Sequence, residues 1–158
     1  MRTMLLTTGS RALADTEAST RWAKDILREM IGKLEAGDVV VTGDATGPDR
    51  WSSGIAVDRK LKLRIFEKSG FVTDERGYVT SRWLLEFSQP VTGGEWRERL
   101  LGRDRAMVKM VAAARPAFSV LCIALLASWS RTHGTAYTAR HAKEAGIRVE
   151  TFTCLGVT

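Results

Sequence analysis

The chain has 158 residues, 44% of them hydrophobic, enough for one core and a single domain over residues 1–158 without disulfide or metal staples. Two cysteines, Cys122 and Cys154, read as buried thiols of a reducing, cytoplasmic compartment; no metal-ligand spacing, membrane-length apolar run or signal-peptide core is present, so no metal or membrane partner is expected. The net charge of +6 favours an anionic partner, but Lys and Arg are scattered and do not interleave with aromatics, which suits a nucleotide-sized anion better than a nucleic acid.

Met4 to Thr8 predicts a first buried strand that empties into Gly9-Ser10-Arg11. N-cap candidates between Asp15 and Thr20 then open an amphipathic helix, with Trp22, Ile26, Leu27, Met30, Ile31 and Leu34 at three- and four-residue spacing and Gly37 as its stop. Asp38 leads into Val39–Thr42, a β-branched run suited to a parallel strand buried on both faces. The turn Gly43-Asp44-Ala45-Thr46-Gly47 follows, and Pro48 starts a second helix to about Lys60 with Gly47 as N-cap. Leu63 to Glu67 is the third strand.

From Lys68 to about Glu95 the periods break down under Gly70, Gly77, Pro90, Gly93 and Gly94, which predicts an insertion, with Arg76–Tyr78 paired to part of Arg82–Phe87 as a hairpin. A helix over Trp96–Arg115 is ended by Pro116. Phe118–Leu126 is the fourth strand, Ser130-Arg131-Thr132-His133-Gly134 a polar loop, Thr135–Ala145 a helix closed by Gly146, and Arg148–Phe152 the fifth strand. This alternation predicts a Rossmann-like three-layer α/β sandwich, with a five-stranded parallel sheet in the order 3-2-1-4-5 and the insertion after strand 3. Ligands of such sheets bind beyond the carboxyl ends of the strands, where all three polar loops would meet.

At Gly134-Thr135 a helix starts straight from a flexible polar loop, so free N–H groups and the positive end of the dipole suit a phosphate, with Ser130, Arg131 and Thr132 as further donors. Phosphate is disfavoured at the Gly43–Gly47 loop because Asp49 already places a negative charge in the next helix's first turn. Asp49 therefore reads as an acceptor for a ribose or base hydroxyl, or as a stabiliser of the helix end; Arg50 reads as a ligand contact or a solvated side chain. The loop lacks the Gly-Lys-Ser/Thr ending of a nucleoside-triphosphatase loop. Arg103 and Asp104 begin a middle turn of the third long helix and read as an exposed charged face or as ligand contacts. His133 and His141, the latter on an exposed helix face, have no acid partner nearby in sequence.

Four motifs in order, Gly9-Ser10-Arg11, Gly43 to Arg50, Arg103-Asp104-Arg105-Ala106-Met107 and Ser130 to Thr135, resemble the SLOG superfamily of Rossmann-like domains, and especially its YspA-like branch. The resemblance spans nearly the whole chain outside about 68–95. It implies a pocket for a nucleotide or nucleotide-derived, ADP-ribose-like ligand, walled by Gly9, Ser10, Arg11, Gly43, Asp44, Gly47, Asp49, Arg50, Arg103, Asp104, Ser130, Arg131, Thr132, Gly134 and Thr135. Two departures stand out. Asp104 replaces a common asparagine, and Thr138 stands where relatives that cleave N-glycosidic bonds carry a glutamate. The expected role is thus a nucleotide sensor or sequestering protein, homo-oligomeric and needing no cofactor. The alternatives are a phosphoribohydrolase-like enzyme, with Asp49, Asp104 or Asp44 supplying the carboxylate, and DNA binding of the DprA type.

Overall fold

A computed structural model describes residues 1–84 and 93–156 of the chain. Eleven strands and α-helices follow in order: β1 (Arg2–Gly9), α1 (Glu17–Gly32), β2 (Val39–Gly43), α2 (Pro48–Asp58), β3 (Lys62–Phe66), β4 (Phe71–Thr73), β5 (Val79–Arg82), α3 (Gly93–Ala113), β6 (Phe118–Ala127), α4 (Gly134–Glu144) and β7 (Arg148–Cys154). A short 3-10 turn, Arg11–Ala14, joins β1 to α1. All strands belong to one sheet in the order β5-β4-β3-β2-β1-β6-β7.

The expectation of five strands in the order 3-2-1-4-5 is corrected by that sheet of seven. Strands β3, β2, β1, β6 and β7 pair in parallel, while β4 and β5 add an antiparallel hairpin beyond β3. Both extra strands come from the stretch expected to be an irregular insertion. The hairpin itself lies earlier than expected: Arg76 and Gly77 are turn residues, and Phe71–Thr73 pairs with Val79–Arg82. Asp74 sets this register, its Oδ1 accepting from the backbone N–H of Arg76 at 2.9 Å and of Tyr78 at 3.0 Å, and Gly77 takes the positive φ of 83° that the turn needs. Residues 85–87 of the expected hairpin lie outside the described residues.

Side-chain alternation sorts the parallel strands into two cores. Met4, Leu6, Val39, Val41 and Cys122 face Met107, Val108 and Val111 of α3 together with Ala142 of α4. Leu5, Val40, Leu63, Ile123 and Leu125 face Leu13, Ala56 and the α1 stripe Ala23, Leu27 and Ile31. Each fully buried leucine or isoleucine contributes roughly 1.5–3 kcal/mol relative to exposure. Thr16 caps α1, its hydroxyl accepting from Ser19 N–H at 3.1 Å, and Gly47 caps α2 at φ 86° with Pro48 in its first turn.

Cys154 is half-buried rather than buried, because β7 is an edge strand with a partly exposed side-chain pattern. At the amino edge Asp38 ties strand starts together. Its carboxylate accepts from Thr3 N–H at 2.7 Å and Glu35 N–H at 2.8 Å, and its carbonyl accepts from Lys62 N–H at 3.3 Å. Among the described residues no helix is long and apolar enough to cross a membrane.

Candidate functional site

Strand order reverses between β1 and β6, since β1 leads on to β2 at one side while β6 flanks it at the other. Above that switch point lies a cleft of about 450 Å³ lined by Arg11, Ala12, Asp15, Thr46, Trp129, Ser130, Arg131 and Thr132. The loops after β1, β2 and β6 all contribute to it. A larger cavity of about 650 Å³ lies between the end of α2 and the β4–β5 turn, among Lys60, Lys62, Arg76 and Tyr78, away from every expected site residue. The smaller cleft is the candidate site, because it lies over the switch point and is lined by the loops after β1, β2 and β6.

Close packing brings the β1 and β2 loops together. A Cβ on Gly9 would stand 2.5 Å from Pro48 Cβ, so glycine is what lets α2 start against the end of β1. Gly47 lies near the Arg11 backbone, 3.6 Å from its Cα when a Cβ is built. Ser10 is buried; its N–H donates to the Leu125 carbonyl at 2.9 Å and its Oγ accepts from Ala12 N–H at 3.2 Å. Ser10 thus positions the Arg11 turn, and Arg11 itself is exposed.

On the β6 side, Ser130, Arg131 and Thr132 form a compact turn in which Ser130 Oγ accepts from Thr132 N–H at 3.3 Å. Arg131, Thr132 and Gly134 are exposed, and Thr135 is buried. Helix α4 starts at Gly134 from His133 with no side-chain cap and no acidic residue in its first turn, which leaves its amino end electropositive. Trp129 Nε1 donates to Asp15 Oδ2 at 3.1 Å, linking the β6 loop to the start of α1.

A second group of expected residues forms a buried ionic cluster over the end of β2. Arg103 and Asp104 are 7% and 6% exposed, not on an exposed charged face, because Gly43 leaves room for the guanidinium. Arg103 Nη1 is 2.7 Å from Asp44 Oδ1, and its Nη2 is 3.3 Å from Asp104 Oδ1. Asp44 Oδ2 also accepts from Lys68 N–H at 3.1 Å. Asp49 is 5% exposed; its carboxylate accepts from Thr42 Oγ1 at 3.3 Å and from Ala45 N–H at 3.1 Å.

Burial raises the Asp49 carboxyl to about 6, and the attraction of Arg103 only partly offsets it. Asp104 is raised too, first by burial, against the pull of Arg103. Thr138 is fully buried and donates to the Gly134 carbonyl at 2.9 Å. Two further hydroxyls, Thr7 Oγ1 and Ser52 Oγ, are buried without a hydrogen-bond partner among the described residues.

The structure therefore divides the expected residues. Arg11, Ser130, Arg131 and Thr132 line the cleft; Gly9, Ser10 and Gly47 shape it; Gly43, Asp44, Asp49, Arg103 and Asp104 pack on one another; Arg50 is exposed on α2. Of the residues that line the cleft, sequence reasoning missed Ala12, Asp15, Thr46 and Trp129. An indole directly after a buried strand, inside a loop of small polar residues, was the available signal for Trp129. His141 is half-exposed and stacks on Tyr137 with ring centroids 5.9 Å apart, beside Glu144. Among the described residues no group of three His, Cys, Asp or Glu side chains could hold a metal ion.

No family model matches the chain, and no curated protein matches it. Among solved structures, it is similar to the X-ray structure of DNA processing protein A (DprA) from Streptococcus pneumoniae, with a TM-score of 0.60 and 16% identity over 95% of this chain and 50% of that one. The chain thus spans about half the length of that structure. The likeness is one of fold: a mostly parallel, Rossmann-like α/β sheet.

Proposed function

We propose that the cleft above the β1–β6 switch point binds the phosphate of a nucleotide or nucleotide-derived ligand, and that the protein acts as a sensor or sequestering module of the SLOG type. The carrying observation is that Arg11 and Arg131, from loops 120 residues apart, line one cleft with Ser130 and Thr132 just ahead of the uncapped start of α4. Charged donors and hydroxyls on separate loops of a rigid sheet edge suit a phosphate held by several charge-assisted hydrogen bonds. The carboxylates of Asp49 and Asp104 are buried in internal contacts, which supports binding over cleavage at a ribosyl carbon.

Calorimetry with the nucleoside 5′-monophosphates tests this reading. Arg11→Ala and Arg131→Ala should each weaken binding by about 1.5–3 kcal/mol without altering the unfolding midpoint. Unchanged affinity in both variants rejects the cleft as the site.

A second reading, DNA binding, is favoured by the DprA-like fold together with the net charge of +6. Salt separates the two. Affinity for a DNA strand should fall steeply between about 50 and 200 mM salt as counterions are released, whereas a single nucleotide in the cleft should respond far less.

A further inference from the structure

The cleft is not uniformly basic. Opposite the Arg131 turn stands Asp15, which follows the 3-10 turn and immediately precedes Thr16, the N-cap of α1. Its Oδ2 accepts from Trp129 Nε1 at 3.1 Å, and among the described residues Oδ1 accepts no hydrogen bond. The indole is oriented by that bond and lies beside Gly156, whose added Cβ would stand 3.3 Å from Trp129 Cε3; Gly156 N–H donates to Ser128 Oγ at 3.0 Å. One cleft therefore offers two arginines, an oriented aromatic ring and a carboxylate with a spare acceptor atom.

A carboxylate here works against a ligand that is anionic throughout, such as inorganic pyrophosphate, and in favour of one that carries hydroxyl donors at a distance from its charge. The cleft volume of about 450 Å³ lies in the range of small-molecule sites, about 300–1,000 Å³. A flat apolar ring next to a hydroxyl-accepting carboxylate matches the base and sugar of a nucleoside. We infer that Asp15 and Trp129 form the nucleoside end of the cleft, so that its ligand is a ribonucleotide: Trp129 stacks on the base, Asp15 Oδ1 accepts from the ribose cis-diol, and Arg11 and Arg131 hold one phosphate.

This inference rests on the phosphate-binding reading above and adds the sugar and base to it. Asp15→Asn keeps an acceptor for the Trp129 indole, since its amide oxygen replaces Oδ2, but puts an uncharged amide in place of the carboxylate. Trp129→Phe keeps a ring and loses the bond to Asp15; Trp129→Leu loses the ring. Dissociation constants are measured for the four ribonucleoside 5′-monophosphates, their 2′-deoxy forms and inorganic phosphate.

The ribonucleotide that binds best should be favoured over its 2′-deoxy form by about tenfold or more, the worth of one charged hydrogen bond, and Asp15→Asn should remove that preference. Trp129→Leu should weaken nucleotides about tenfold or more while leaving inorganic phosphate unchanged, with Trp129→Phe in between. Nucleotide binding with equal ribo and deoxy affinities, or a preference that survives Asp15→Asn, overturns the inference and leaves the phosphate reading standing. If no nucleotide binds, the phosphate reading fails and takes this inference with it.

Discussion

Arg103 Nη1 lies 2.7 Å from Asp44 Oδ1, across 59 residues of sequence, and so joins the middle of α3 to the loop that leaves β2. The same guanidinium contacts Asp104, and its attraction also reaches Asp49. One buried cation therefore stands among three aspartates, and burial raises Asp49 and Asp104 by more than the attraction of Arg103 lowers them.

Arg103→Met removes that cation while roughly keeping its volume. Leaving buried carboxylates without a partner costs about 3–5 kcal/mol when they stay ionised. The loss should be largest above neutral pH and smaller near pH 5, where the carboxyls take up protons. Urea unfolding of the two proteins at pH 8 and pH 5 measures it; a difference under about 0.5 kcal/mol at both would show that Arg103 does not balance the cluster.

Asp49 sits at about 6 in the folded chain against an ordinary 3.8, so the folded state binds this proton more tightly than the unfolded state does. Its contribution therefore favours folding fully below about 3.8 and is lost as the pH rises through about 6, a change of roughly 3 kcal/mol. Asp49→Asn, which can still accept from Ala45 N–H, should flatten this part of the profile and be the more stable protein at pH 8. Equal slopes between pH 4 and 8 in both proteins would refute the assignment.

Three glycines should respond differently to a single methyl group. A Cβ at Gly43 would stand 2.6 Å from Asp49 Oδ2 and 3.0 Å from Arg103 Cζ, and one at Gly9 would meet Pro48 Cβ at 2.5 Å, whereas nothing lies within 4 Å of one at Gly134. Gly43→Ala and Gly9→Ala should each cost about 1–3 kcal/mol through overpacking, while Gly134→Ala stays within about 0.5 kcal/mol. Thermal melts of the three variants check the ranking.

Much of the frame could be read from local pattern. Val39–Val41 and Leu121–Leu125 are continuous apolar runs, and Gly47-Pro48 marks a helix start by backbone chemistry alone. The hairpin was harder because β4 has three residues and β5 four, too short for a period, and its register comes from Asp74 bonding its own turn. Arg103 was misplaced because charged spacing on a helix says nothing of a missing side chain at Gly43, sixty residues away. Asp15 and Trp129 meet across 114 residues, a pairing that only the β1–β6 adjacency creates.

The two thiols should separate in reactivity. Burial raises Cys122 to about 12, and it lies in the core between β6 and α3, whereas Cys154 is half-exposed at the end of β7. A disulfide reagent at pH 8 should label one thiol per folded chain quickly, at Cys154, and the second only in denaturant. Rapid loss of both in native buffer would contradict the burial of Cys122.

Asp38 gathers the starts of β1, β2 and β3 at the edge away from the cleft, through its carboxylate and its carbonyl. Strand alignment is thereby anchored at one rim, and the candidate cleft lies at the other. Changes confined to the carboxyl-side loops leave these Asp38 hydrogen bonds in place, because no residue that lines the cleft takes part in them.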